Sequence, residues 1–289
     1  MAKKESRTIL VTGATGHQGG AALRHLREKG FTVRAFTRDP TKDEARLLVG
    51  PRTEVMGGDL NNKASVARAL DGVQGVYSMQ SWVEQGVEGE MRQGILLADE
   101  AKRNDVRHFV YSSVASADQN TGIPHFDSKY KIEEHIRTTG MRYTVLRPTF
   151  FMENWLGMRD QINQGTLALP LAPDTRLQMI SVDDIGAFVA MAFDRPGHWE
   201  SRTVELAGDE LTMTELTKVF GRMAGRDVSY QQTPWDEFEE KVGSERAAMF
   251  RWFQDVGYQV DIPNLRHEYW KLTSFESWVH ANWQRRMTA

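Results

Sequence analysis

The sequence predicts an α/β chain: a doubly wound parallel sheet carrying a smaller, mostly helical C-terminal lobe. Three observations lead there. Over the first half, short apolar runs alternate with helix-patterned stretches, and strands that alternate with helices pair in parallel through right-handed crossovers. The first of these runs empties into a glycine-rich turn, GATGHQGG (13–20), that opens a helix. After Pro148 the alternation breaks down, and from Trp235 onward the pattern is helical and rich in tryptophan.

The strands read as RTILVT (7–12), FTVRAFT (31–37), TEVMGGD (53–59), GVYSMQ (75–80), RHFVYSS (107–113) and YTVLRP (143–148). Between the first two, AALRHLREK is helical and stops at Gly30. Asp39 and Pro40 follow the second strand as N-cap and first helical residue, the usual places for those types. NNKASVARAL (61–70) is a helix started by asparagine, SWVEQGVEGE (81–90) a long loop, and the helix beyond it runs through ILLADEAKRN. HFDSKYKIEE (125–134) is helical and lies between the fifth and sixth strands.

Past Pro148, FFMENWLGMRDQI (150–162) reads as a helix with bulky apolar groups and GTLALPLAPDTRLQMI (165–180) as a Pro-punctuated, hairpin-like stretch. SVDDIGAFVAMAF starts as a capped helix, TVELAG (203–208) is a strand returning to the sheet, and TMTELTKVFGRMAG is a helix. Trp235, Trp252, Trp270, Trp278 and Trp283 read as the core of a small lobe. The expected division is 1–154 for a nucleotide domain, with a returning strand near 202–207, and 155–289 for a smaller substrate or partner lobe.

Composition narrows the function. A 289-residue chain with 40% hydrophobic and 26% charged residues can bury a sizeable core. Net charge is -3 and the basic residues are scattered, so direct nucleic-acid binding is not expected. The absence of cysteine removes disulfides, thiolate catalysis and cysteine-based zinc sites. MAKKESR reads as a solvated tail without a hydrophobic signal region, and no stretch reaches membrane-spanning length. The expectation is a cytoplasmic protein that does not bind membranes.

The glycine spacing carries the chemistry. Gly13 permits a tight turn, Gly16 lets backbone approach a pyrophosphate, and Gly19 lets helix and strand pack closely. Arg38 ends the second strand, where a base meets a ribose 2'-phosphate and an acid meets a 2'-hydroxyl. NADP(H) is therefore the expected cofactor, with NAD(H) as the alternative that Asp39 keeps open. Asp59, ending the third strand, suits either an adenine contact or a helix cap. Gln80 ends the fourth strand beside Met79 and Ser81 on the expected ribose path, and Ser112 and Ser113 end the fifth. Asp183, Asp184, Glu133 and Glu134 read as helix-start or helix-surface acids. No serine-hydrolase elbow, Walker loop or zinc-protease motif occurs, and the 8 histidines show no zinc spacing, so no metal is expected.

HFDSKYKIEE resembles a reductase's catalytic helix with its tyrosine out of register. A short-chain reductase needs Tyr and Lys four apart on one face so that the ammonium lowers the phenol's pKa. Here Lys129 has His125 at that distance, and Tyr130 is followed there by Glu134. Imidazole, with an ordinary pKa of about 6.5, can serve as an acid in place of a phenol; an exposed helix-start histidine is the plainer alternative.

Taken together, TGATGHQGG, TRDP, GDLNN, LLADEAKRNDVRHFVYSSV, HFDSKYKIEEHIR, RPTFFMEN and MISVDDIGAFV resemble the NmrA-like family, an atypical branch of the short-chain dehydrogenases and reductases. The resemblance implies a Rossmann domain, a small C-terminal lobe and a nicotinamide dinucleotide. It implies that Gly13, Thr15, Gly16, Gln18 and Gly19 line the pyrophosphate, that Arg38 meets the 2'-phosphate, and that Lys129 holds the nicotinamide ribose. Pro148, Thr149 and Phe150 would border the nicotinamide. The family's regulators bind dinucleotide and act on protein partners, whereas its quinone-reductase relatives transfer hydride. Two functions follow: a cofactor-redox sensor regulating a partner, or an NADPH-dependent reductase of a small apolar carbonyl, enone or quinone using Lys129 and His125.

Overall fold

The computed structural model describes residues 7–283; the MAKKES segment of the N-terminal tail lies outside them. The chain divides into two compact units, residues 1–147 with 185–204, and residues 148–184 with 205–289. The chain thus re-enters the first unit at Ile185, ahead of the returning strand.

In the first unit the order is β1 (Thr8–Val11), α1 (His17–Glu28), β2 (Thr32–Thr37), α2 (Asp43–Arg46), β3 (Thr53–Gly57), α3 (Lys63–Leu70), β4 (Gly75–Ser78), α4 (Trp82–Arg103), β5 (His108–Ser112), α5 (Pro124–Thr138) and β6 (Tyr143–Pro148). Next come β7 (Phe150–Phe151), a 3-10 helix (Met152–Met158), α6 (Arg159–Asn163), β8 (Thr166–Leu169) and β9 (Arg176–Ile180). The long helix α7 (Val182–Asp194) and the short α8 (Pro196–Trp199) lead to β10 (Arg202–Leu206). The remainder is β11 (Asp209–Thr212), α9 (Met213–Ala224), β12 (Ser229–Gln232), α10 (Trp235–Val242), α11 (Ser244–Asp255), α12 (Ile262–Glu268) and α13 (Phe275–Asn282).

Seven strands form the main sheet in the order β10-β6-β5-β4-β1-β2-β3. Pairing is parallel from β6 through β3, so the predicted fold class holds. β4 and β5 are buried throughout, as strands covered on both faces should be. The expected return of TVELAG to the sheet is seen in β10 beside β6.

Four local expectations are corrected. Asp39 and Pro40 do not start a helix: Asp39 Oδ1 accepts the Thr41 amide at 2.9 Å, an Asx turn, and α2 begins at Asp43. SWVEQGVEGE is not a loop but a helical turn joined to α4 across Gly86, whose φ of 68° and ψ of 177° interrupt the helix. FFMENWLGMRDQI splits into β7, the 3-10 turn and α6. GTLALPLAPDTRLQMI is no hairpin, because β8 pairs with β12 and β9 pairs with β11 and β7.

Buried charge ties α5 to the sheet. Glu133, fully buried rather than on the surface, accepts two hydrogen bonds from Arg147 of β6, at 2.9 and 2.8 Å, and one from Arg137 at 2.8 Å. Arg147 also meets Asp118 at 2.8 Å.

The second unit is organised by aromatic rings. Phe220 lies 6.0 Å from Trp155 and 4.8 Å from Trp283, and Phe275 stacks on Trp278 at 5.9 Å. The indole nitrogens of Trp278 and Trp283 donate to Glu153 at 2.9 Å and Asn163 at 3.0 Å, so these rings are buried without orphaned donors. Trp252 is buried too, but Trp270 is 78% exposed and does not belong to the core expected of it. Asp184 is buried and accepts the Thr273 amide at 2.9 Å and hydroxyl at 3.0 Å. Among the described residues no helix is long and apolar enough to cross a membrane.

Two outcomes are expected. Glu133→Ala leaves the buried Arg147 guanidinium short of a carboxylate partner and lowers unfolding free energy by about 3 kcal/mol; a loss below about 1 kcal/mol in urea titration would contradict this account. Burial pushes the Asp184 carboxyl up to about 6 from 3.8, against the pull of the Thr273 hydrogen bonds. A carboxyl raised on folding holds its proton more tightly in the native state, so its contribution is complete below pH 3.8 and is lost as pH rises through about 6. Asp184→Asn should therefore gain on the wild type between those limits, by on the order of 2 kcal/mol. Urea unfolding across that range measures it, and an offset independent of pH refutes it.

Candidate functional site

The turn after β1 is built from glycine for steric reasons. Gly13 sits at a φ of 61°, in the left-handed region. A Cβ on Gly19 would lie 2.2 Å from the Gly13 carbonyl oxygen, so only glycine lets α1 come this close to the turn. Gly16 donates to Gly13 O at 2.9 Å and occupies the N-cap position of α1. No side chain caps this end, and its first turn carries no acid. The positive end of the helix dipole is therefore not neutralised by a side chain of its own first turn.

Beside it lies a cavity of about 670 Å³ within the first unit. Gly13, Thr15, Arg38, Asp59 and Gln80 all line it, together with Asp39, Met79, Glu84 and Gln85. The structure thus gathers five of the sequence-predicted residues around one space. Thr12 anchors Met79 from beneath the turn: its hydroxyl donates to Met79 O at 2.9 Å and accepts the Met79 amide at 2.8 Å. Gln80 is buried and its side-chain nitrogen donates to Ser78 Oγ at 3.1 Å.

Gln18, from the glycine turn, is fixed by neighbours on the sheet. Its Oε1 accepts Ser112 Oγ at 2.7 Å and the Tyr77 hydroxyl at 3.2 Å. Ser112 therefore serves the turn. Asp59 accepts the Asn61 amide at 2.8 Å, whereas the cap of α3 is Asn62, so the helix-cap alternative for Asp59 drops out.

Arg38 is exposed and already engaged. Its two terminal nitrogens donate to the two carboxylate oxygens of Glu84, one of them at 2.9 Å. Asp39 instead turns to Thr41, whose hydroxyl and amide bonds hold the Asp39 carboxyl below its ordinary range.

On α5, Lys129 Nζ donates to Glu90 Oε1 at 2.7 Å and Ser128 Oγ to Glu90 Oε2 at 2.7 Å. Glu90 is fully buried on α4, and the sequence hides this partner of Lys129 because its segment reads as a loop. His125 is buried, not exposed, and stacks on Trp82 with ring centroids 4.9 Å apart and 18° between planes. Tyr130 is placed for another role than that of a phenol paired with Lys129: the Arg137 and Arg147 guanidiniums lie over its ring at 5.9 and 6.0 Å. Tyr111 on β5 is buried, and burial together with the Glu90 and Glu133 charges pushes its phenol well above the usual value, so it stays protonated.

Pro148, Thr149 and Phe150 belong to the second unit. The Thr149 amide and hydroxyl both donate to Leu206 O at 3.0 Å, and Phe150 packs against Trp155 and Phe253 at 5.5 and 6.1 Å. Among the described residues, no group of three or more His, Cys, Asp or Glu is arranged to hold a metal ion.

Known proteins resemble this chain along most of its length. An NAD(P)H azoreductase of Xenophilus azovorans is 30% identical over 224 residues, covering 77% of this chain and 76% of the azoreductase. The structure of Citrobacter sp. triphenylmethane reductase complexed with NADP(H) superposes with a TM-score of 0.82 at 23% identity, covering 95% of this chain and 99% of the other. The negative transcriptional regulator NmrA, in complex with NADP, superposes with a TM-score of 0.80 at 21% identity, covering 97% and 96%. At those identities the two structures speak to the fold. The model of the NmrA-like family matches residues 5–279, nearly the whole sequence, and the chain belongs to that family.

Proposed function

We propose that the protein binds a nicotinamide dinucleotide, NADP(H) in preference to NAD(H), and reports its redox state to a protein partner. The observation that carries the binding is the uncapped N-terminus of α1, pressed onto Gly13 through Gly19, beside a cavity whose rim includes Arg38. The residues fit the ligand: Gly13, Thr15 and Gln18 offer backbone and amide donors for a pyrophosphate, Gly16 a backbone with no side chain in the way, and Arg38 a fork for a 2'-phosphate. Relatives known as complexes with NADP support the same reading. Lys129 and Gln80 would hold the nicotinamide ribose, and Pro148, Thr149 and Phe150 would border the nicotinamide.

Sensing is favoured over turnover by the state of α5. The tyrosine is out of register, its ring lies beneath two guanidiniums, and the Lys129 ammonium is committed to buried Glu90. Holding a ribose survives this arrangement, whereas the position four residues before Lys129 holds an imidazole in place of the phenol. A second reading, an NADPH-dependent reductase of a small carbonyl, enone or quinone, is favoured by one observation: His125 is buried one helical turn before Lys129. The bound nicotinamide would supply hydride, and His125 or Lys129 would hold the proton.

Titration calorimetry with NADPH and NADH, followed by NADPH absorbance in the presence of quinones, enones, aldehydes and azo dyes, separates the two. Binding without oxidation is expected. Turnover that disappears in Lys129→Ala while the dinucleotide still binds would overturn the sensor reading. Arg38→Ala should weaken NADPH by about tenfold or more, the loss of one charge-assisted phosphate contact, with NADH little changed. Equal losses for both would refute the assignment of Arg38.

A further inference from the structure

The Arg38–Glu84 pair has a consequence for selectivity. Arg38 presents both terminal nitrogens to Glu84, so the fork that suits a phosphate is filled by a carboxylate from the same unit. Both residues are exposed, with 70% and 56% of their side chains accessible. An exposed ion pair of this kind stabilises little and exchanges readily for a better anion.

Glu84 also stands on a short piece of backbone set off from the rest of its helix. The turn Trp82–Gln85 is separated from the rest of α4 by Gly86, whose φ of 68° breaks the helix and where an added Cβ would meet nothing within 4 Å. Further contacts hold the turn. Ser81 accepts the Val83 amide at 3.3 Å, Gln85 Oε1 accepts Asn61 and Gln93 at 3.1 and 3.2 Å, and Trp82 stacks on His125. These polar bonds are all exposed. Glu84, Gln85 and Arg38 line the same cavity.

We propose that Glu84 is a selectivity residue for the 2'-phosphate, competing with it for Arg38, and that the Trp82–Gln85 turn is released only by dinucleotides that carry this phosphate. This rests on the dinucleotide reading above. A 2'-phosphate brings a second anion to a guanidinium already filled; it takes the fork, and like-charge repulsion drives the Glu84 carboxylate away. A 2'-hydroxyl carries no charge to displace Glu84 and can donate to that carboxylate, so the pair and the turn stay in place. Glu84 thereby narrows the preference for NADP(H) while making its arrival a distinct structural event.

The test compares NADPH with NADH, and adenosine 2',5'-bisphosphate with 5'-AMP, on the intact protein by titration calorimetry. Glu84→Gln should tighten the two 2'-phosphorylated ligands by about fivefold and leave the other two within about twofold, since the competing exposed ion pair is gone. Tryptophan emission supplies the second readout, because neither adenosine nucleotide absorbs where tryptophan emits. The bisphosphate should change emission, 5'-AMP should not, and the change should be missing in Trp82→Phe. Wild-type binding that depends on Arg38 but is unaltered in Glu84→Gln would overturn the competition alone. An emission change that persists in Trp82→Phe would overturn release of the turn. Failure of the wild type to bind any of the four ligands would overturn the dinucleotide reading and this proposal together.

Discussion

A Cβ atom has no room at Gly19, where it would lie 2.2 Å from the Gly13 carbonyl oxygen, and the geometry of the site descends from that contact. The backbone of α1 is pressed onto the turn that leaves β1, which fixes where the helix begins and where its dipole points. The other side of α1 is held the same way: a Cβ on Gly186 would lie 2.6 Å from the Ala21 carbonyl carbon, so α7 also meets α1 backbone to backbone. Held by these two close backbone contacts, α1 has little freedom to tilt. Its N-terminus is thereby fixed in place, and Ser112 and Tyr77 set Gln18 from the adjoining strands.

Burial sorts the charged pairs around this frame into permanent and exchangeable ones. Glu133 with Arg147, and Glu90 with Lys129, lie inside, where removing either partner strands a desolvated charge. Such pairs add little net stability relative to apolar packing, but they specify one arrangement. Both attach α5 to its neighbours, one to β6 and one to α4, so the helix cannot rotate without breaking them. That is why Lys129 and His125 keep their places on α5. Arg38 with Glu84 is the opposite case, solvated on both sides and cheap to exchange.

The fold was legible because its signals are local and repeated. Six apolar runs separated by helical patterns, and glycines at 13, 16 and 19, encode backbone requirements that no distant residue can override. Each misreading has its own physical cause. Gly86 interrupts the periodicity of α4, which makes a helical turn look like a loop and hides both Glu84 and Glu90. Asp39 before Pro40 satisfies an Asx turn as well as a helix cap, and only the Thr41 contact tells them apart. β8 and β9 neighbour each other in sequence but pair with β12 and β11, partners whose short polar strands carry no pattern of their own. Glu133 looks like a surface acid because the arginine that neutralises it is 14 residues away on a strand.

The stack of Trp82 on His125 joins the two readings of function physically. The imidazole is buried beneath a side chain of the same turn that carries Glu84. On the proposal above, a turn that leaves Arg38 would draw Trp82 with it and lift the indole from one face of the His125 ring. On that proposal, displacement of Glu84 would change the surface around Trp82 and the packing of the imidazole that stands where the phenol would be. A sensor and a reductase built on this chain would share a single moving part, and what separates them is whether anything reducible fits beside His125 once that part has moved.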